Sequence, residues 1–113
     1  MDYILDATNQ KLGRLASQIA SILQGKKSLH YDPRLVGIGR LLVKNAGKIV
    51  VSGRKYEHKI YYHHTGYMGH LRTKTYRELF SKSPEGVLRK AVFNMLPKNR
   101  LRMKRLKRLT IQA

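Results

Sequence analysis

Apolar positions along the chain follow two alternating periods. Tyr3-Ile4-Leu5-Asp6-Ala7 is a short run of strand formers closed by Thr8-Asn9. Beyond it, Leu12, Leu15, Ala16, Ile19, Ile22 and Leu23 recur at helical spacing. They predict one amphipathic helix, with Thr8 or Asn9 to cap its start and Gly25 to stop it. That stripe reads as core rather than as a partner site, and strand, turn and helix open the chain as an α/β unit does. Lys26-Lys27 and His30-Tyr31-Asp32-Pro33-Arg34 form a polar connection to a second strand at Leu41-Leu42-Val43. Lys48 to Gly53 predicts a third extended piece and Lys59 to His63 a fourth, while the Gly and Thr content of 64–74 predicts a loop. Thr75-Tyr76-Arg77-Glu78 has capping-box spacing for a short helix ending near Lys82. Ser83-Pro84-Glu85 starts another helix, with a stripe at Val87, Leu88, Ala91, Val92, Met95 and Leu96 and a stop at Pro97. Leu109-Thr110-Ile111 reads as a closing strand. No internal repeat interrupts this order.

Length and charge narrow what such a chain does. Its 113 residues fit one domain, residues 1–113, and 42% apolar content allows a single modest core. Lys and Arg number 24 against six acids, a net charge of +18. Such a chain repels itself unless a polyanion neutralises it, and nucleic acid does so with a gain from released counterions. Without Cys, disulfides and cysteine-based zinc sites are excluded. Met1-Asp2-Tyr3 carries no basic-then-apolar leader, and no apolar run approaches the ~18 residues of a membrane span.

Two stretches carry candidate chemistry. In the first, Gly66 and Gly69 allow a tight turn whose backbone N–H groups could cradle phosphate. Around them His63, His64, Tyr67 and His70 offer stacking faces, and Arg72 and Lys74 add charge, a mixture suited to folded or single-stranded RNA. An ordinary Gly-rich surface turn is the plain alternative. A histidine metal site is disfavoured, because adjacent His63 and His64 aim poorly at one ion and no Cys or nearby carboxylate completes a set. The second stretch is the basic C-terminal arm, residues 98–108, where Lys98, Arg100, Arg102, Lys104, Arg105, Lys107 and Arg108 stand with no acid. It reads as a phosphate-contacting segment, with Met103, Leu106 and Leu109 able to pack one side on the domain. A solvated helix face and a membrane-surface helix are the other readings.

Enzymatic readings find little support. Gly25-Lys26-Lys27-Ser28 resembles the end of a phosphate loop but lacks the Gly that must precede it. Asp2, Asp6, Asp32, Glu57, Glu78 and Glu85 are scattered, and no nucleophile elbow frames a serine. A basic nuclease and a free RNA-binding regulator stay open as alternatives.

The residues also resemble a known family. Asp6-Ala7-Thr8 followed by Leu12-Gly13-Arg14-Leu15-Ala16 is similar to the opening of bacterial-type ribosomal large-subunit protein thirteen. Tyr61-Tyr62-His63-His64-Thr65-Gly66 with Gly69 resembles its most distinctive loop, and Met95-Leu96-Pro97-Lys98 its C-terminal signature. The resemblance implies an α/β fold, three-layered α/β/α around a small, mainly parallel sheet. It implies a non-catalytic part of the large ribosomal subunit, bacterial or organellar. Its partners would be large-subunit rRNA and neighbouring ribosomal proteins, with no membrane, small-molecule substrate or cofactor. The family's RNA-facing positions fall on Arg14, Lys26, His63, His64, Thr65, Gly66, Gly69 and Lys98, and Lys27 joins Lys26. Three departures stand out. Gly37-Ile38-Gly39 replaces Thr-Gly-Asp, and Asn94 and Arg102 replace glycines, so the backbone near Arg102 is expected to be rebuilt, as continuous helix. The family's N-terminal lead-in and polar C-terminal extension are also expected to be missing.

Overall fold

The computed structural model describes residues 2–37 and 39–113. Met1 and Ile38, the latter one of the departure positions, lie outside the described residues. Three parallel strands form the central sheet: β1 (Tyr3–Asp6), β2 (Leu41–Lys44) and β5 (Leu109–Ile111), in the order β1-β2-β5. Register aligns Tyr3 with Leu41 and Leu109, and Leu5 with Val43 and Ile111. One face of the sheet therefore carries Leu41, Val43, Leu109 and Ile111, all buried, with Tyr3 and Leu5 packed against the same core.

Helix α1 (Leu12–Gln24) covers that face because its apolar stripe leaves Leu15, Ala16, Ile19 and Leu23 at 2% exposure or less. Gly25 ends it in the left-handed conformation with its N–H on Ile22 and Ser21 carbonyls, as expected. The start differs from expectation. Lys11, not Thr8 or Asn9, is the N-cap and no side chain caps it. Asn9 turns left-handed, and Thr8 bonds back to Asp6.

Helix α3 (Tyr76–Lys82) and helix α4 (Pro84–Met95) begin as their sequences predict. Thr75 Oγ1 accepts from the Glu78 N–H at 3.3 Å and Ser83 Oγ from the Gly86 N–H at 3.2 Å. Val87, Leu88, Val92 and Leu96 bury the α4 stripe against α1, but Met95 turns outward, where its sulfur accepts from the Ser17 hydroxyl.

The α/β class and the parallel sheet match expectation; the layering differs. Both crossovers step the same way across the sheet, from β1 to β2 to β5. Right-handed connections in one direction lay their helices on one face, and α1 and α4 do pack on each other. The opposite face stays open, with Ile4 67% exposed, Thr110 exposed and Leu42 half-buried. Three further readings are corrected. Residues 48–53 are not a strand: a 3-10 turn (Ala46–Lys48) leads to a single bridge between Val50 and Lys11. Leu71–Thr75 is a strand, β4, so the loop shrinks to 65–70. The basic C-terminal stretch is no free arm, since helix α5 (Leu101–Leu106) packs on α1 and α4 and runs into β5. Asn94 and Arg102 both lie in helices, so neither needs the left-handed backbone of the glycines they replace. No helix among the described residues is long and apolar enough to cross a membrane.

One carboxylate fastens the strand ends. Asp6 accepts from the Asn45 side-chain amide, the Thr8 N–H and the Thr8 hydroxyl, and these bonds hold its pKa at about 2 instead of 3.8. A depressed acid stabilises the fold above its ordinary value and loses that contribution as pH falls toward the folded one. The urea midpoint should therefore fall between pH 5 and pH 2.5, and fall less in Asp6→Asn. Equal falls in both chains would remove Asp6 from the acid limb.

Candidate nucleic-acid interface

Strands β3 (Ile60–His64) and β4 (Leu71–Thr75) pair antiparallel as a ribbon separate from the central sheet. Tyr61 faces Lys74 and His63 faces Arg72 across it, so these four side chains share one face. Ile60, Tyr62, His64, Leu71 and Thr73 share the other. The pleat thus separates a cationic face from an apolar and aromatic one on which Ile60, Tyr62 and Leu71 are 44%, 61% and 56% exposed. Adjacent His63 and His64 point to opposite faces, which is why they cannot converge on one ion. Among the described residues no group of three or more His, Cys, Asp or Glu is placed to hold a metal.

Half-buried Tyr61 ties the ribbon to the domain, with Lys90 Nζ 4.7 Å and Lys59 Nζ 5.4 Å from its ring centre. Beneath it Tyr76 stacks on Phe80 at 5.4 Å, and burial of Tyr76, with no partner for its hydroxyl, pushes that group up to about 12. Beyond this base the ribbon projects its side chains into solvent.

At the tip, Thr65 N–H and Oγ1 both donate to the His70 carbonyl at 3.2 Å, and the His70 N–H donates to the Tyr67 carbonyl. The Gly66 N–H donates to His64 Nδ1 at 3.0 Å. Amides of Thr65, Gly66 and His70 are therefore engaged inside the loop, a correction to the expectation of a backbone cradle. His64 acts through that bond as a clasp for the turn. Tyr67 is 74% exposed and meets His70 edge-on at 6.5 Å. A Cβ added at Gly66 or Gly69 would meet nothing within 4 Å.

The basic C-terminal segment divides in two. Lys98, Arg100, Lys104 and Lys107 are exposed, and Arg102 lies half-buried with its guanidinium carbon 3.7 Å from the Phe93 ring centre. Arg105 and Arg108 turn inward, contrary to their expected role as phosphate contacts. Arg105 is 2% exposed and donates to the Pro33 and Leu35 carbonyls at 3.3 and 2.9 Å. Arg108 donates to Gly39 at 3.0 Å, to Val36 at 2.7 Å and to Leu23, a last-turn carbonyl of α1. Burial first, then the Arg105 charge, pulls Arg108 below the ordinary arginine value. At the departure position Gly37 a Cβ would come within 2.9 Å of Arg108 Nη2. Leu106 and Leu109 pack inward as expected, but Met103 is 55% exposed, and Arg105 fills the inward place beside Leu106.

Arg14 sits exposed in the first turn of α1, and Lys26 and Lys27 just past its end. A 13-residue helix, roughly 20 Å long, separates them, so they contribute to different parts of the surface. Sequence reading passed over Tyr62 and the cations of a short helix α2 (Lys55–His58), which leads straight into β3. The clustering Arg54-Lys55 and His58-Lys59 was the available signal.

Comparison with known proteins fits this geometry. The family described as Ribosomal protein L13 matches residues 1–113. A protein of Rubrobacter xylanophilus named large ribosomal subunit protein uL13 is 46% identical over 111 residues, covering 98% of this chain and 78% of its own. Proteins of the same name from Chloroflexus aggregans and Clostridioides difficile are 47% and 45% identical over the same shares. With cations gathered on an outlying ribbon and a match along its whole length, this chain belongs to the ribosomal protein L13 family.

Proposed function

We propose that this protein is a structural constituent of the large ribosomal subunit, in the bacterial-type cytoplasmic ribosome, where it binds and stabilises rRNA and adjoins other ribosomal proteins. It acts by positioning RNA and not by catalysis, in keeping with its family. The ribbon carries this reading. His63 and Arg72 face each other directly, with Lys74 two positions on and no acid paired across the ribbon. Opposed like charges weaken a sheet, and a two-stranded hairpin is marginal on its own. Such a surface becomes favourable once phosphates neutralise it. Exposed Tyr62 and Tyr67 add faces on which bases can stack. Residues 1–113 serve as one RNA-binding domain, with Arg14, Lys26, Lys27 and the outward cations of 98–108 as further contacts.

In a lysate separated by sedimentation, nearly all of the protein should travel with large subunits. Arg72→Gln with Lys74→Gln should flatten the log–log salt dependence of rRNA binding by roughly 1.5, from about 0.7–0.9 per phosphate contact. Protein found mainly free of subunits, or an unchanged slope, would count against the reading.

A further inference from the structure

At the base of the ribbon, four basic side chains line one open concavity of about 490 Å³: Arg54, Lys55, His58 and Lys59. All four are exposed, and the one ion pair among the described residues, Arg34–Asp32, lies elsewhere. We propose that this concavity is a second phosphate-binding site, which takes the RNA backbone some distance from the loop at the ribbon tip. The inference rests on the rRNA-binding reading and adds a place and a geometry to it.

The local structure is built to hold these charges together. None of the residues of α2 is buried, so helix propensity and core burial do not explain a single turn here. Tyr56 does. Its ring meets Tyr76 edge-on at 5.8 Å and Phe80 at 6.4 Å, using the aromatic cluster under the ribbon as a foundation. The Tyr76 N–H donates to the Lys59 carbonyl at 2.8 Å and locks the end of the turn to the start of α3. Lys59 then enters β3 directly, so concavity and loop are the two ends of one ribbon, about 16 Å apart for five residues of strand. Bringing four cations into one hollow costs repulsion, and a backbone with regularly spaced phosphates offsets it with counterion release. Glu57, the acid of α2, does not line the hollow.

The test uses the full chain and transcribed large-subunit rRNA across a salt series. Arg54→Gln, Lys55→Gln and Lys59→Gln combined should flatten the log–log slope by roughly 2–3 with the melting temperature unchanged, because these side chains are exposed. Tyr56→Ala removes no charge, yet should flatten the slope as well, measured well below its own melting temperature. A parent-like slope in the triple variant would overturn the site. A parent-like slope in Tyr56→Ala alone would reduce it to diffuse charge and equally overturn the built concavity. If inorganic phosphate or polyglutamate binds the parent as tightly as the RNA does, and binding to each is lost in the triple variant, the RNA assignment is wrong. Loss of slope with Arg72→Gln and Lys74→Gln but not with the triple variant would refute this site and leave the rRNA-binding reading standing.

Discussion

Arg108→Ala should lower the stability of the fold by at least about 3 kcal/mol while leaving the salt dependence of rRNA binding unchanged. The side chain donates to three carbonyls, and a hydrogen bond from a charged group is worth about 1.5–3 kcal/mol. Full additivity would give more, but exposed parts of the 33–39 loop can regain water. One of the three acceptors, Leu23, stands in the last turn of α1, where a cation also meets the negative end of the helix. Arg105→Ala should cost less, because it also removes a buried charge beside Arg108, whose Nε, like that of Arg105, has no partner. Urea titration gives the stability, and filter binding at low temperature gives the slope. The opposite pattern is expected for Lys98, Arg100, Lys104 and Lys107 changed together to Gln: an unshifted melt and a slope flatter by roughly 3. A flatter slope in Arg108→Ala would return that residue to the RNA surface.

The second large effect is expected at the ribbon tip. Gly66→Val and Gly69→Val should each weaken rRNA binding by about 1–3 kcal/mol, the scale of one stacked base or charged contact. Both glycines have positive φ, 89° and 75°, where a side chain strains the backbone by roughly 1–2 kcal/mol, and more with a branched Cβ. Nothing within 4 Å would clash with the new Cβ, and the apolar core lies elsewhere. The strain is therefore relieved by rearranging 65–70, which disturbs the His64–Gly66 clasp and the exposed ring of Tyr67. Melting should shift little. Parent-like affinity in both variants would place the loop in solvent, and global unfolding of both would make the glycines purely structural.

The contrast between these two sites shows what could be seen from residues alone. Helices α1 and α4 were legible because their buried faces repeat at 3.6 residues, and β1, β2 and β5 because short apolar runs stand between turn residues. Strand β4 was not: Leu71-Arg72-Thr73-Lys74-Thr75 is exposed along most of its length, so no alternation of burial marks it. Lys48 to Gly53 was misleading for the reverse reason. Its Ile49-Val50-Val51 run is apolar enough for a strand, but the left-handed turn at Asn45 and the 3-10 turn after it leave room for only one bridge. Inward arginines were invisible because their acceptors are backbone carbonyls of the 33–39 loop and α1, which leave no trace in side-chain pattern. The loop from His63 to His70 could be located by composition, while the division of the ribbon into two chemically different faces required the register.

The middle position of β2 also sets a timetable for synthesis. β1, α1 and β2 are made early and can assemble as one βαβ unit, but one edge of β2 stays bare until Leu109–Ile111 follow. At ~5–20 residues per second, the stretch from Lys44 to Leu109 takes roughly 3–13 s to emerge. Throughout that interval the nascent chain exposes an unpaired strand edge together with cations that seek any polyanion nearby. Three residues near the end of translation therefore decide when a half-built sheet stops being a hazard and becomes a finished part.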